Sequence, residues 1–162
     1  MSLSKKIDVV VEVPYKSNLK YEMDNGKLRL DRILSCSMCY PGNYGFIENT
    51  LAEDGDTLDA LIMTNYDILP GTVVECKVLG ALIMTDEKGL DEKIIVVPSD
   101  NVDTAYSHLN DLNDLGEDKL EKIKHFFENY KTIDKDKWVK VNDFIDSEHA
   151  INLIDKYKKN FN

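Results

Sequence analysis

The segment Asp54-Gly55-Asp56-Thr57-Leu58-Asp59 places three carboxylates within six residues, at the entrance to an apolar run over 58–64. Asp and Gly also build solvated turns, so a plain surface loop is one reading of this stretch. Closely spaced Asp residues can instead hold a divalent cation. A calcium loop of the EF-hand kind is excluded, because Asp59 stands where glycine is required and Asn65 stands where the bidentate Glu belongs.

A second acidic cluster is Asp86, Glu87 and Asp91. A two-residue hairpin turn at Lys88-Gly89 puts Asp86 directly opposite Asp91 and Glu87 opposite Leu90. Like charges about 4 Å apart repel by ~4 kcal/mol at an effective dielectric of about 20, so a protonated carboxyl, a wider loop or a bound cation is expected. Lys93 lies two residues beyond Asp91, on the same strand face, and one ammonium neutralises only one of the two. Magnesium suits the remainder: it prefers oxygen ligands and bridges one or two carboxylates to phosphate oxygens.

Further candidates lie upstream. Glu12 interrupts a valine-rich strand, and Glu22 lies on the polar face of the next. Glu22 can pair with Arg29, and Lys20 with Asp31, across a hairpin, surface effects worth ~0–1 kcal/mol. Arg32 follows Leu28 and Leu30 on their apolar face, where a guanidinium needs an anionic partner. It is therefore a phosphate-binding candidate.

The elements that must position these groups divide into two runs. Ile7, Val9, Val11 and Val13 keep a period of two, which predicts a half-buried strand ending at Pro14. Leu19, Tyr21 and Met23 do the same, and Asn25-Gly26 offers a tight turn into a strand over 27–34. Strands follow over 58–64, 72–79, 82–85 and 93–97, with turn signals at Pro70-Gly71, Gly80 and Lys88-Gly89. The last third reads as helices: Leu120, Ile123, Phe127 and Tyr130 share one stripe over 117–131, and Ile151, Ile154 and Tyr157 share another. A shorter helix is expected over 102–109. The fold class is α+β: a five-stranded, closed, OB-like β-barrel with helices packed around it, since closure removes the exposed edges of many short strands.

The 162 residues suit a single domain over 1–162, and 43% apolar with 31% charged residues is the balance of a folded globule. No apolar run approaches the roughly 20 residues of a membrane helix, and the N-terminus lacks a signal-peptide pattern, so no membrane association and a cytoplasmic location are expected. Cys36 and Cys39 form a CxxC without a second pair or a His at ligand spacing, so packing is expected of them rather than zinc or redox chemistry. A net charge of −10 counts against nucleic acid as a partner, including the single strands bound by some small barrels. An anionic substrate can still bind where cations stand between it and the carboxylates.

With these residues in view, the sequence resembles the family I soluble inorganic pyrophosphatases. The resemblance covers nearly the whole chain, through residues 11–14 and 20–22, Asp31-Arg32, and residues 40–45, 54–59, 86–93 and 125–131. It implies hydrolysis of inorganic diphosphate to two phosphates by direct attack of a metal-activated water, with several Mg2+ ions per active site. It further implies Asp54, Asp59, Asp86, Asp91 and Glu12 as metal ligands, and Asp56 as the group that takes a proton from the attacking water. Lys20, Arg32, Tyr44, Lys93, Tyr130 and Lys131 would contact phosphate oxygens, with Glu22 and Tyr40 lining or supporting the site. A homo-oligomer, a hexamer in bacteria, is also implied. Cys36 and Cys39 depart from the small or aromatic residues of the family pattern. An enzyme cleaving nucleoside diphosphates is the rival substrate reading; it requires a platform for base and sugar, and the sequence shows no obvious one.

Overall fold

Ile7, Val9, Val11 and Val13 are buried along Lys6–Val13, a strand, β1, in the computed structural model, which describes residues 6–162; Val10 between them is buried as well, so the alternation holds with Lys6, Asp8 and Glu12 only. The first five residues, on which the reading of the N-terminus partly rests, lie outside the described residues. The Asn25-Gly26 turn joins β2 (Leu19–Asp24) to β3 (Lys27–Ile33) as expected, with both turn residues at positive φ. After β4 (Asn43–Ile47) and β5 (Leu58–Ile62) come the long strands β6 (Val73–Asp86) and β7 (Gly89–Pro98).

Helix α1 spans Glu117–Asn129, β8 spans Val139–Asp146, and α2 spans Ser147–Phe161. Asp146 caps α2 by accepting the His149 N–H. The helix expected over 102–109 is instead a 3-10 turn at Thr104–Tyr106, followed by a second at Leu112–Leu115. The expected break at Gly80 is a register shift inside one continuous β6. A Cβ at Gly80 would collide with the Ile145 carbonyl and Leu112, so the glycine admits a neighbouring strand rather than a turn.

Strands β1, β4, β5, β7 and β6 follow one another by hydrogen bonding, and β6 pairs back to β1, closing a barrel-like ring of five. Strand β6 pairs with β7 on one edge and is long enough to serve two partners on the other: Val73–Lys77 pairs with β1, and Gly80–Asp86 pairs with β8. The ring buries both of its faces. Ile95 and Val97 of β7 join the cluster under Ile123, Phe126 and Phe127 of α1, whereas Ile94 and Val96 join the one under Ile151, Ile154 and Tyr157 of α2. Hence alternate β7 residues address different helices, and Asp91 and Lys93 take the α1 side while Glu92 takes the α2 side. Among the described residues, no helix is long and apolar enough to cross a membrane.

Candidate active site

Strand pairing places the first group of charges. Asp59 of β5 and Lys93 of β7 are register partners in the parallel pair, and the Lys93 ammonium sits 2.7 Å from Asp59 and 3.0 Å from Asp91. Tyr44 of β4 donates to the same Asp59 oxygen at 2.7 Å and accepts from Lys93 at 2.6 Å. The ammonium also lies over the rings of Tyr44 and Phe127. Lys93 is only 2% exposed; burial works against its charge, but Asp59, Tyr44 and Asp91 outweigh burial and hold its pKa well above the usual lysine value. Burial lifts the Asp91 carboxyl, against Lys93, and Asp59 and Asp86 add to the rise.

The loop before β5 is closed by its own bonds. Ala52 N–H donates to the Asp56 carbonyl, Gly55 N–H to the Ala52 carbonyl, and Asp56 N–H to Asp54 Oδ1 at 3.0 Å. Gly55 holds φ +88°, a conformation that favours glycine, so the Asp-Gly-Asp spacing has a backbone reason. The turn leaves Asp56 exposed and Asp54 half-buried. Burial raises the Asp54 carboxyl, opposed by the Asp56 N–H bond.

The β6–β7 turn corrects one expectation. Asp86 pairs with Gly89 and Met84 with Asp91, so Glu87-Lys88 are the turn residues and Asp86 does not face Asp91. Asp86 instead caps the turn by accepting Lys88 N–H at 2.9 Å, and its other oxygen takes the Lys131 ammonium at 2.8 Å. Glu87 lies 3.5 Å from the same ammonium. Burial works to raise Asp86, but Lys131 and the Lys88 N–H prevail and its pKa is lowered. Lys131 reaches this turn because α1 stops at Asn129, two residues short of the expected end. Tyr130 then packs against Phe126 and Phe127, as its place on the apolar stripe foretold.

Glu12 enters from β1 at a register shift. Val11 pairs with Gly45 and Val13 with Tyr44, leaving Glu12 as the extra residue, which breaks the alternation that would otherwise fix its direction. Burial lifts its carboxyl to about 7, with Lys20 opposing and Asp59, Glu22 and Asp31 adding. On the hairpin, Lys20 lies opposite Arg32, and Lys20 reaches Asp31 at 3.9 Å as expected. Arg29 turns to Asp24 at 2.9 Å rather than to Glu22, its register partner. Leu28 and Leu30, expected on a buried face with Arg32, are 45% and 48% exposed.

All fourteen residues singled out from the sequence line one cleft of ≈ 560 Å³: Glu12, Lys20, Glu22, Arg32, Tyr40, Tyr44, Asp54, Asp56, Asp59, Asp86, Asp91, Lys93, Tyr130 and Lys131. Glu87, Lys88 and Lys137 line it too. Glu87 and Lys88 carried a signal in their acidic turn; Lys137, in a loop without periodicity, carried none. The acidic oxygens are donors of the type a hard divalent cation takes, and a carboxyl lifted to about 7 is short of positive charge. Among the described residues, no trio of acidic, His or Cys side chains already forms a metal cage; Asp59 and Asp91 converge on an ammonium instead. Cys36 and Cys76 are buried, Cys39 is exposed, and all three are free thiols.

Residues 9–162 match the sequence profile of a family described as inorganic pyrophosphatase. The inorganic pyrophosphatase of Campylobacter jejuni is 47% identical over 158 residues, covering 96% of this chain and 92% of its own. A solved structure of the inorganic pyrophosphatase from Helicobacter pylori superimposes with a TM-score of 0.94 at 43% identity, covering 99% of this chain and 98% of that one. The crystal structure of the enzyme from Thermus thermophilus gives a TM-score of 0.92 at 42% identity, with 99% and 94% covered.

Proposed function

Since the chain belongs to the inorganic pyrophosphatase family, we propose that it hydrolyses inorganic diphosphate to two phosphates in the cytoplasm, with Mg2+ ions in the cleft and water as the attacking group. The observation that carries this reading is the convergence of acidic and basic side chains from β1, the hairpin, three further ring strands and the residues after α1 on one cleft. Diphosphate hydrolysis asks little covalent work of a protein and much positioning and charge stabilisation, which such a mixed lining supplies.

Asp54, Asp59, Asp86, Asp91 and Glu12 are the residues that would hold Mg2+. The chemistry Mg2+ would supply there is charge neutralisation at phosphate oxygens and a lowered pKa for a bound water. Asp56, exposed at the tip of its turn, would accept the proton of that water. Were those carboxylates engaged with cations, the ammoniums of Lys93 and Lys131 would be free to contact phosphate oxygens. Arg32 adds a planar fork and Lys20 a point charge. The Tyr44 and Tyr130 hydroxyls complete the phosphate contacts, while Glu22 and Tyr40 support the lining.

A single domain over 1–162 assembling as a homohexamer is part of the same reading. Its support is an exposed apolar face: Leu69 is 78% exposed and Val73 56%, and the turn between them lies beside Leu28 and Met23.

Two comparisons test the proposal together. With Mg2+ present, the chain is expected to release phosphate faster from diphosphate than from a nucleoside diphosphate; faster nucleotide cleavage would overturn the substrate. Asp56→Asn is expected to fold normally and lose about 10²–10⁴ of kcat, the usual contribution of a general base. Unchanged turnover would remove Asp56 from that role.

A further inference from the structure

Tyr157 of α2 makes two bonds to segments that both contribute residues to the cleft's lining. Its hydroxyl donates to Glu92 Oε1 at 2.7 Å, and its backbone carbonyl accepts the Leu51 N–H at 2.9 Å. The preceding residue, Lys156, reaches Glu53 Oε1 at 3.4 Å. Leu51 and Glu53 flank the start of the closed turn that presents Asp54 and Asp56, while Glu92 stands between Asp91 and Lys93 on β7. One turn of a helix that does not itself line the cleft thus grips both.

Stability does not account for the pair. Tyr157 is fully buried, Glu92 is 3% exposed, and Glu92 Oε2 is buried without a hydrogen-bond partner. An apolar side chain of similar size would avoid the cost of that unpartnered oxygen. What the bond does supply is direction. Glu92 points to the α2 side, so fixing it fixes the pleat that sends Asp91 and Lys93 to the other side.

We propose that Tyr157 is a positioning residue: bonded to Glu92 and Leu51, it sets the separation between the Asp54–Asp56 turn and the Asp91–Lys93 stretch of β7. The consequence for Mg2+ rests on the reading of the cleft given above; the mechanical role does not. A small displacement between ligands on two segments matters because Mg2+ tolerates little departure from octahedral geometry.

The test uses Tyr157→Phe, with Ile154→Val as a control that loses one buried methyl from the same helix and leaves the bonds to Glu92 and Leu51 in place. Amide hydrogen exchange over residues 51–57 and 90–93 is measured by mass spectrometry, and Mg2+ binding to the resting protein by calorimetry. Tyr157→Phe is expected to quicken exchange in both segments and weaken Mg2+ binding, each by about tenfold, while Ile154→Val changes neither. Glu92→Gln, which keeps an acceptor for the hydroxyl, is expected to behave as the native chain, and Glu92→Ala as Tyr157→Phe. Native exchange and native Mg2+ affinity in Tyr157→Phe would overturn the proposal. So would a Glu92→Gln as impaired as Tyr157→Phe, because charge rather than the hydrogen bond would then be responsible. If the native chain took up no Mg2+, the metal assignment would fall, and the exchange contrast alone would still decide the role of Tyr157.

Discussion

Glu12 owes its place in the cleft to one extra residue in β1, and its environment there has a measurable cost. The folded chain holds its proton up to about 7, whereas an unperturbed carboxyl releases it near 4.5. Between those values the folded state binds more protons than the unfolded one, so the contribution of Glu12 to stability falls as pH rises through that window. Gln at this position does not titrate. With divalent ions chelated, Glu12→Gln is therefore expected to be more stable than the native chain near pH 8, by up to about 3 kcal/mol, and no more stable below the window, at about pH 4. Calorimetric melting that shows no gain near pH 8 contradicts the assignment. Residue types and spacings were enough to pick out the two acidic clusters together with Glu12, Glu22, Lys20, Arg32 and Lys93, because phosphate and cation chemistry demands Asp, Glu, Lys and Arg whatever holds them; Lys131 and the tyrosines came only with the family resemblance, and Lys137 with neither. The partners of these charges were not legible: that Arg29 prefers Asp24, or that Lys131 reaches Asp86, depends on side-chain paths that no spacing encodes.

At the scale of elements, alternation was legible wherever a strand kept one register and failed where a bulge broke it. Strand β8 escaped because its register shifts between Val141 and Asp143, which spoils the period of two. Strand β4 escaped because Asn43, Tyr44, Gly45 and Ile47 are all buried and show no alternation. The β6–β7 turn was misread by one residue because Asp86, through its cap on Lys88, belongs to the ladder's end rather than to its body. Gly45 illustrates what a strand glycine can be for. A Cβ there would collide with the Val10 carbonyl across the β1–β4 pair. Gly45→Ala is therefore expected to cost about 2 kcal/mol or more, in the range of backbone-strain substitutions. Denaturant unfolding with an unchanged midpoint would show that β1 and β4 can part without loss.

At the scale of the molecule, a closed ring of five strands with helices against it was the architecture that the strand-then-helix order called for, and closure follows from β6 pairing back to β1. The ring brings β1, β4, β5, β6 and β7 within reach of one cleft, so that Glu12 of the first strand and Lys93 of β7 line the same space. The proposed homohexamer predicts a sedimentation-equilibrium mass six times the 18.5 kDa of one chain; a monomer mass would contradict it. In the proposed function, acidic side chains gathered by the ring hold divalent ions that make diphosphate open to water. Phosphate release from diphosphate by the purified protein, followed with Mg2+, after chelation and after Mg2+ is restored, measures it most directly. The expected result is release that stops on chelation and returns with Mg2+; release that continues undiminished in the chelator would contradict the account.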